Sequence, residues 1–131
     1  MARRKTRTLT EVELEIMQVL WQHGELSVPG LQQALEDQGK PLALPSIRTM
    51  LSILSDKGYV VRRGGGRGHL YRPAVPREDA QERILKDIVE RAFRGSASQL
   101  VAALIDTDML SERELSAVKR LIGKREKEGA K

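Results

Sequence analysis

Cysteine is absent from this chain of 131 residues, which excludes structural disulfides, thiolate-bound zinc and thiol catalysis. Aromatic residues are scarce: Trp21, Tyr59, Tyr71 and Phe93 are the whole set, so no large apolar cofactor pocket is advertised. No apolar run approaches the roughly 18–20 residues of a membrane span. The opening Met-Ala-Arg-Arg-Lys-Thr-Arg is basic but has no apolar stretch behind it, unlike a secretory signal, and the expected compartment is the cytoplasm. His23 and His69 are the only histidines, with no nucleophile motif near either. The sequence therefore points away from an enzyme and calls for no metal and no cofactor. Glu11, Glu13 and Glu15 are expected on the polar side of a helix near its N-terminus, where the helix dipole favours acids.

Charge is unevenly spread. The net charge is +5. Arg3, Arg4, Lys5 and Arg7 make a basic arm, and residues 8–37 then hold six acids and no base. Residues 38–75 hold seven bases against Asp56 alone, and the remainder is nearly balanced. A basic arm and a basic middle block are the electrostatic footprint of a polyanionic partner.

The order of elements gives that footprint a fold. Thr10 and Glu13 have the spacing of a capping box, and Val12, Ile16, Met17, Leu20 and Trp21 follow as a helical stripe that ends at His23-Gly24. Ser27 caps a second helix with Pro29 in its first turn and Leu31, Ala34 and Leu35 inside. A third helix is expected from Pro45 to Lys57, stopped by Gly58 in a left-handed position. Two short runs of strand formers, 59–63 and 69–72, flank a glycine-rich turn and read as a hairpin. Three helices and a hairpin are the order of a winged helix.

The third helix carries the most informative pattern. Ile47, Met50, Leu51 and Leu54 recur at i, i+3, i+4 and i+7 and must face a core. Pro45, Ser46, Arg48, Thr49 and Ser52 fall away from that stripe. Such a face is small, hydrogen-bonding and basic, and it suits a major groove, where Arg bonds guanine and Ser or Thr bonds bases or phosphates. Helical spacing sets Asp56 at the C-terminal end, away from that groove. Arg62, Arg63, Arg67, His69 and Arg72 sit on or beside the wing and complete the set of expected DNA contacts, since Arg meets phosphate in a bidentate way. The wing is not a nucleotide-binding loop, because no helix and no Lys-Ser/Thr pair follows its glycines. Tyr59 and Tyr71 read as wing packing rather than base-stacking platforms.

Pro73 to Pro76 marks the one clear boundary, giving an expected winged-helix DNA-binding domain over 1–75 and a helical dimerisation domain over 76–131. The tail carries Ile84, Leu85, Ile88, Val89 and Phe93, then Leu100, Val101 and Leu104, then Leu115, Val118 and Ile122, on short helices begun by Ser96 and Ser111. These stripes are too narrow to make a core alone, and a second copy of the chain is the expected cover. Residues 123–131, mostly charged, are expected to fray.

Leu9-Thr10-x-x-Glu13-x-x-Ile16-Met17-x-x-Leu20-Trp21, then Ser27-Val28, Ser46-Ile47-Arg48-Thr49-Met50-Leu51, Lys57-Gly58-Tyr59 and Leu70-Tyr71 together resemble the penicillinase repressor family of winged-helix transcriptional regulators (BlaI/MecI/CopY type). The resemblance spans roughly residues 8–123. It implies a homodimer that represses a resistance or stress operon from a palindromic double-stranded DNA operator, with Arg48 and Thr49 reading bases. It also implies release by proteolysis of the tail through a membrane sensor-protease pathway. The chain departs from the family in three places. Ile53 stands where an Arg is common. The cysteine cluster of the copper-sensing branch is missing. Ala103-Leu104 occupies the position of the Asn-Phe cleavage pair.

Two other readings remain open on the residues. One is a MarR-like or other winged-helix regulator with a small-molecule inducer, which would favour a longer chain with dimer helices on both flanks. The other is a winged-helix protein-interaction module without DNA, which would favour an uncharged wing.

Overall fold

The computed structural model describes residues 8–64 and 68–129. The basic arm at Arg3, Arg4, Lys5 and Arg7, and the expected DNA contact Arg67, lie outside the described residues. The chain forms two compact units, Met1–Asp87 and Ile88–Lys131. In chain order the elements are α1 (Glu11–His23), β1 (Leu26–Ser27), α2 (Val28–Asp37), α3 (Leu44–Asp56), β2 (Val60–Arg63), β3 (Leu70–Pro73), α4 (Arg77–Ala92), α5 (Ala97–Asp106) and α6 (Glu112–Gly129). It is a mainly helical chain with a small β-hairpin wing.

Local chemistry sets the helix ends. The Thr10 hydroxyl accepts from the Glu13 amide while the Glu13 carboxylate accepts from the Thr10 amide, the reciprocal box read from their spacing. Ser27 caps α2 by accepting from the Gly30 amide. Gly58 stops α3 with φ at 84°, and the Tyr59 amide reaches back to the Leu54 carbonyl at 2.9 Å. That closure needs a left-handed residue at position 58, which Gly adopts without a Cβ clash.

The apolar stripes then meet. Ile16, Met17, Val19 and Leu20 of α1, Leu31 and Leu35 of α2, and Ile47, Leu51 and Leu54 of α3 are buried together with Tyr59 and Val60. Met50, expected on the same stripe, packs at the margin of this core and is only partly buried. The sheet is three-stranded and antiparallel in the order β1-β3-β2, so the short β1 joins the hairpin as a third strand. Two residues ending in a helix cap carry no strand periodicity, so β1 has no signature in the sequence.

The first unit reaches beyond Val75. The Trp21 indole N–H donates to the Val75 carbonyl at 2.9 Å. Arg77 lies over the Trp21 ring at 5.8 Å and Arg83 over the Tyr59 ring at 5.3 Å. Ala80 is fully buried and Ile84 packs on the same core. Ile84, expected in a dimer stripe, is thus engaged within its own chain, because α4 begins against Trp21 before its later turns leave the first unit.

Glu13 departs from the expected exposed acidic face. Its side chain is buried, and so is its partner Lys57, whose ammonium donates to Glu13 at 2.7 Å and to the Thr8 carbonyl at 3.0 Å. The capping box folds the carboxylate back toward the helix start, where Lys57 at the end of α3 meets it. Burial pushes the Glu13 carboxyl up, but the Lys57 and Thr10 hydrogen bonds outweigh it and the net shift is downward.

In the second unit α5 and α6 bury no residue completely. Leu85 at the end of the first unit, and Ile88, Val101 and Ile122 in the second, are exposed. Val89, Phe93, Leu100, Leu104, Leu115 and Val118 are half-buried. Ile105, Met109 and Leu121 are exposed apolar residues as well. Ser111 and Glu114 form a complete capping box at the start of α6. Over 123–129 the structure is helical, where fraying was expected: α6 continues through Gly123 to Gly129, and residues 130–131 lie outside the described residues. Lys124 to Glu128 are good helix formers, and one interior Gly costs only about 1 kcal/mol relative to Ala.

The buried pair makes stability depend on pH with a definite sign. A carboxylate whose folded pKa lies below its unfolded value of 4.5 contributes stability above that value and loses it as pH falls through the folded pKa. Glu13→Ala is expected to cost about 3 kcal/mol in urea unfolding at neutral pH, because it strands a buried ammonium. Glu13→Gln should cost less, since its amide oxygen still accepts. The gap between native and Glu13→Gln proteins should narrow as pH is lowered below 4.5; a constant gap would refute the electrostatic origin.

Candidate nucleic-acid interface

With Ile47, Leu51 and Leu54 fixed in the core, the opposite face of α3 points outward. Pro45, Ser46, Arg48, Thr49 and Ser52 are all exposed. Pro45 sits in the first turn of α3, where its missing N–H removes no helix bond. The Thr49 hydroxyl donates to the Pro45 carbonyl at 3.0 Å, which fixes its rotamer and leaves its oxygen lone pairs to accept. Arg48 is exposed two turns before the helix end.

The wing meets this face through one side of its sheet. In a strand, successive side chains point to opposite faces. The register pairs Arg62 with Tyr71, Val61 with Arg72 and Arg63 with Leu70. Arg62 and Tyr71 therefore share the side that lines an open groove with Arg48 and Ser52. His69 lines the same groove near the wing, and its Nδ1 lies 3.1 Å from the Gly64 carbonyl. A carbonyl only accepts, so Nδ1 carries the proton and Nε2 is left out of that bond. Asp56, expected away from the groove, in fact lines it together with Ser55 and Val60, because β2 packs beside the last turn of α3.

Arg63 and Arg72 lie elsewhere. They share a crevice with Glu25, the residue before β1. Arg63 grips Glu25 in a bidentate pair, Nε to Oε2 at 2.9 Å and Nη2 to Oε1 at 2.7 Å. That hydrogen bond, followed by the charges of Arg63 and Arg72, lowers the Glu25 pKa, and Glu25 in turn raises that of Arg63. Position in the sequence groups Arg63 and Arg72 with Arg62 and gives no hint of Glu25 beside them. Alternation along β2 carried the signal for separating Arg62 from Arg63.

Tyr59 is completely buried and Tyr71 half-buried, consistent with wing packing. Among the described residues no three His, Asp or Glu side chains gather where a metal ion could sit, and no helix is long and apolar enough to cross a membrane.

Fold and site together define a winged-helix protein with a polar, basic helix face beside its wing. The chain belongs to the penicillinase repressor family, whose model matches residues 9–124. It is similar to the methicillin resistance regulatory protein MecI of Staphylococcus aureus, at 22% identity over 92% of this chain and 98% of that protein. It is likewise similar to the penicillinase repressor of Bacillus licheniformis, at 25% identity over 91% and 92% of the two chains. Among solved structures, that of the DNA-binding domain of the repressor BlaI is 27% identical, covers 59% of this chain and 93% of its own, and superposes with a TM-score of 0.50.

Proposed function

We propose that this chain is a homodimeric transcriptional repressor that binds a palindromic DNA operator through α3 and the wing. The observation that carries the reading is the groove in which Arg48 and Ser52 of α3 face Arg62 and His69 of the wing. Pro45, Ser46, Arg48, Thr49 and Ser52 would enter the major groove, with Arg48 on guanine and the hydroxyls on bases or phosphates. Arg62, and by its place in the sequence Arg67, would meet the flanking phosphates. Membership of a repressor family and the likeness to a repressor's DNA-binding domain support the reading.

The two kinds of contact separate experimentally. A duplex selected by the native protein from a randomised pool serves as the operator, and a scrambled duplex of equal length as the reference. Arg48→Ala should cost about 1–3 kcal/mol on the selected duplex and relax base preference. Arg62→Ala should weaken both duplexes alike and reduce the salt slope by about one unit. Equal loss of discrimination in both variants would defeat this division of roles.

Dimerisation is assigned to residues 76–131, and chiefly to the apolar faces at Ile88, Val101 and Ile122. Exposed apolar residues on three consecutive helices support it, since a second copy would cover them at once. In the full chain, Val101→Glu with Ile122→Glu should lower the sedimentation mass from dimer to monomer at micromolar concentration without changing the melting of the first unit. A mass that stays dimeric would refute the assignment.

Relief of repression is assigned to proteolysis of the tail, since two linked heads gain effective concentration on a palindrome and separated heads lose it. Ala103 and Leu104 lie inside α5, not in a connection between helices, and the Ala103 carbonyl accepts from both the Thr107 amide at 3.0 Å and the Thr107 hydroxyl at 2.6 Å. Cleavage there requires α5 to unwind first. A specific protease sequence placed at 107–111 should therefore be cut faster than the same sequence centred on Ala103-Leu104. Either cut should weaken operator binding by orders of magnitude; binding that survives complete cleavage would exclude the mechanism.

A further inference from the structure

We propose that Glu25 is a specificity-determining residue that keeps DNA off the wrong side of the wing, an inference that rests on the DNA-binding reading above. The wing has two basic faces. One carries Arg62 beside Arg48 and Ser52 of α3. The other carries Arg63 and Arg72 in a crevice to which, among the described residues, only Glu25 contributes besides. Without a carboxylate, two guanidinium groups in one crevice would be a strong phosphate site, because each can bind phosphate by two parallel hydrogen bonds. That site would capture DNA while α3 stood outside the major groove.

Glu25 removes the hazard in two ways. Its carboxylate occupies Nε and Nη2 of Arg63, the same pair of donors a phosphate would use. It also places a negative charge beside Arg72, which lines the same crevice. The location is set by the fold: Leu26 pairs with Tyr71, so the residue before it falls next to Arg72, and the register of β2 brings Arg63 to the same side. Arg63 stays largely exposed and its pair with Glu25 is a surface contact, so its worth to stability is small. Its consequence lies in which phosphates the chain can hold.

Operator binding and random binding respond differently to such a device. Base contacts from α3 fix one register on an operator, with the Glu25 side of the wing turned away. Random DNA is held by phosphate contacts alone and accepts any basic face on offer. Releasing Arg63 and Arg72 thus adds binding modes to random DNA and none to the operator complex.

The test uses the full chain, the duplex selected by the native protein and a scrambled duplex of the same length. Glu25→Gln should tighten binding to the scrambled duplex and steepen its salt slope by about one unit, which makes its advantage shrink about threefold between roughly 50 and 200 mM salt. Affinity and slope on the selected duplex should hold, so the ratio between the two duplexes falls. Glu36→Gln, which removes an exposed charge from α2, should leave the slope on scrambled DNA unchanged. The double variant Glu25→Gln/Arg63→Gln should return that slope toward the native value. Three outcomes would overturn the proposal: an unchanged slope in Glu25→Gln, equal tightening on both duplexes, or the same gain from Glu36→Gln. Native protein that binds no duplex at all would instead refute the DNA reading itself, before any substitution is made.

Discussion

The buried pair of Glu13 and Lys57 ties the first turn of α1 to the end of α3. Everything the proposed interface needs follows from the orientation of α3, and this tie sets one end of it. The other constraint is the packing of Ile47, Leu51 and Leu54, which turns Arg48, Thr49 and Ser52 to solvent. A buried ion pair is weak evidence for added stability, because desolvation offsets most of the attraction. Its value lies in direction. An apolar contact at that point would tolerate a slide of α3 along its axis, whereas a carboxylate that must meet one ammonium and one amide tolerates little.

The helices were legible because their signals are local. Thr10 with Glu13, Ser27 before Pro29, and Gly58 after Lys57 each announce a boundary within four residues, and each boundary lies where the spacing put it. The burial of Glu13 was not legible. Its sequence neighbours Glu11 and Glu15 suggest a solvated acidic face, and the partner that reverses the reading stands 44 residues away. Strand β1 escaped for a similar reason: two residues show no alternation, and they are a strand only because β3 lies beside them.

The wing shows the same limit in its charges. Counting arginines in a basic segment gives the sign of the partner and nothing about its side of approach. Arg62 and Arg63 are neighbours in sequence, and the pleat sends them to opposite faces, one to α3 and one to Glu25. Charge counted by face rather than by segment is the quantity that phosphate recognition senses. On that count Arg48 and Arg62 outweigh Asp56 on the groove face, while on the other face Arg63 is held by the Glu25 carboxylate with Arg72 beside it.

Burial on either side of the unit boundary is unequal in a way that bears on how such a chain works. The first unit closes its own core and needs no partner to bury Ile16, Leu51 or Tyr59. In the second, α5 and α6 bury no residue fully, so hydrophobic free energy remains unrealised on their exposed faces. A cover for those faces stabilises the second unit far more than the first. On the proposed reading, association would set the state of the tail and leave the fold of the first unit unchanged, so a signal acting on the tail would alter DNA occupancy without unfolding the surface proposed to read it.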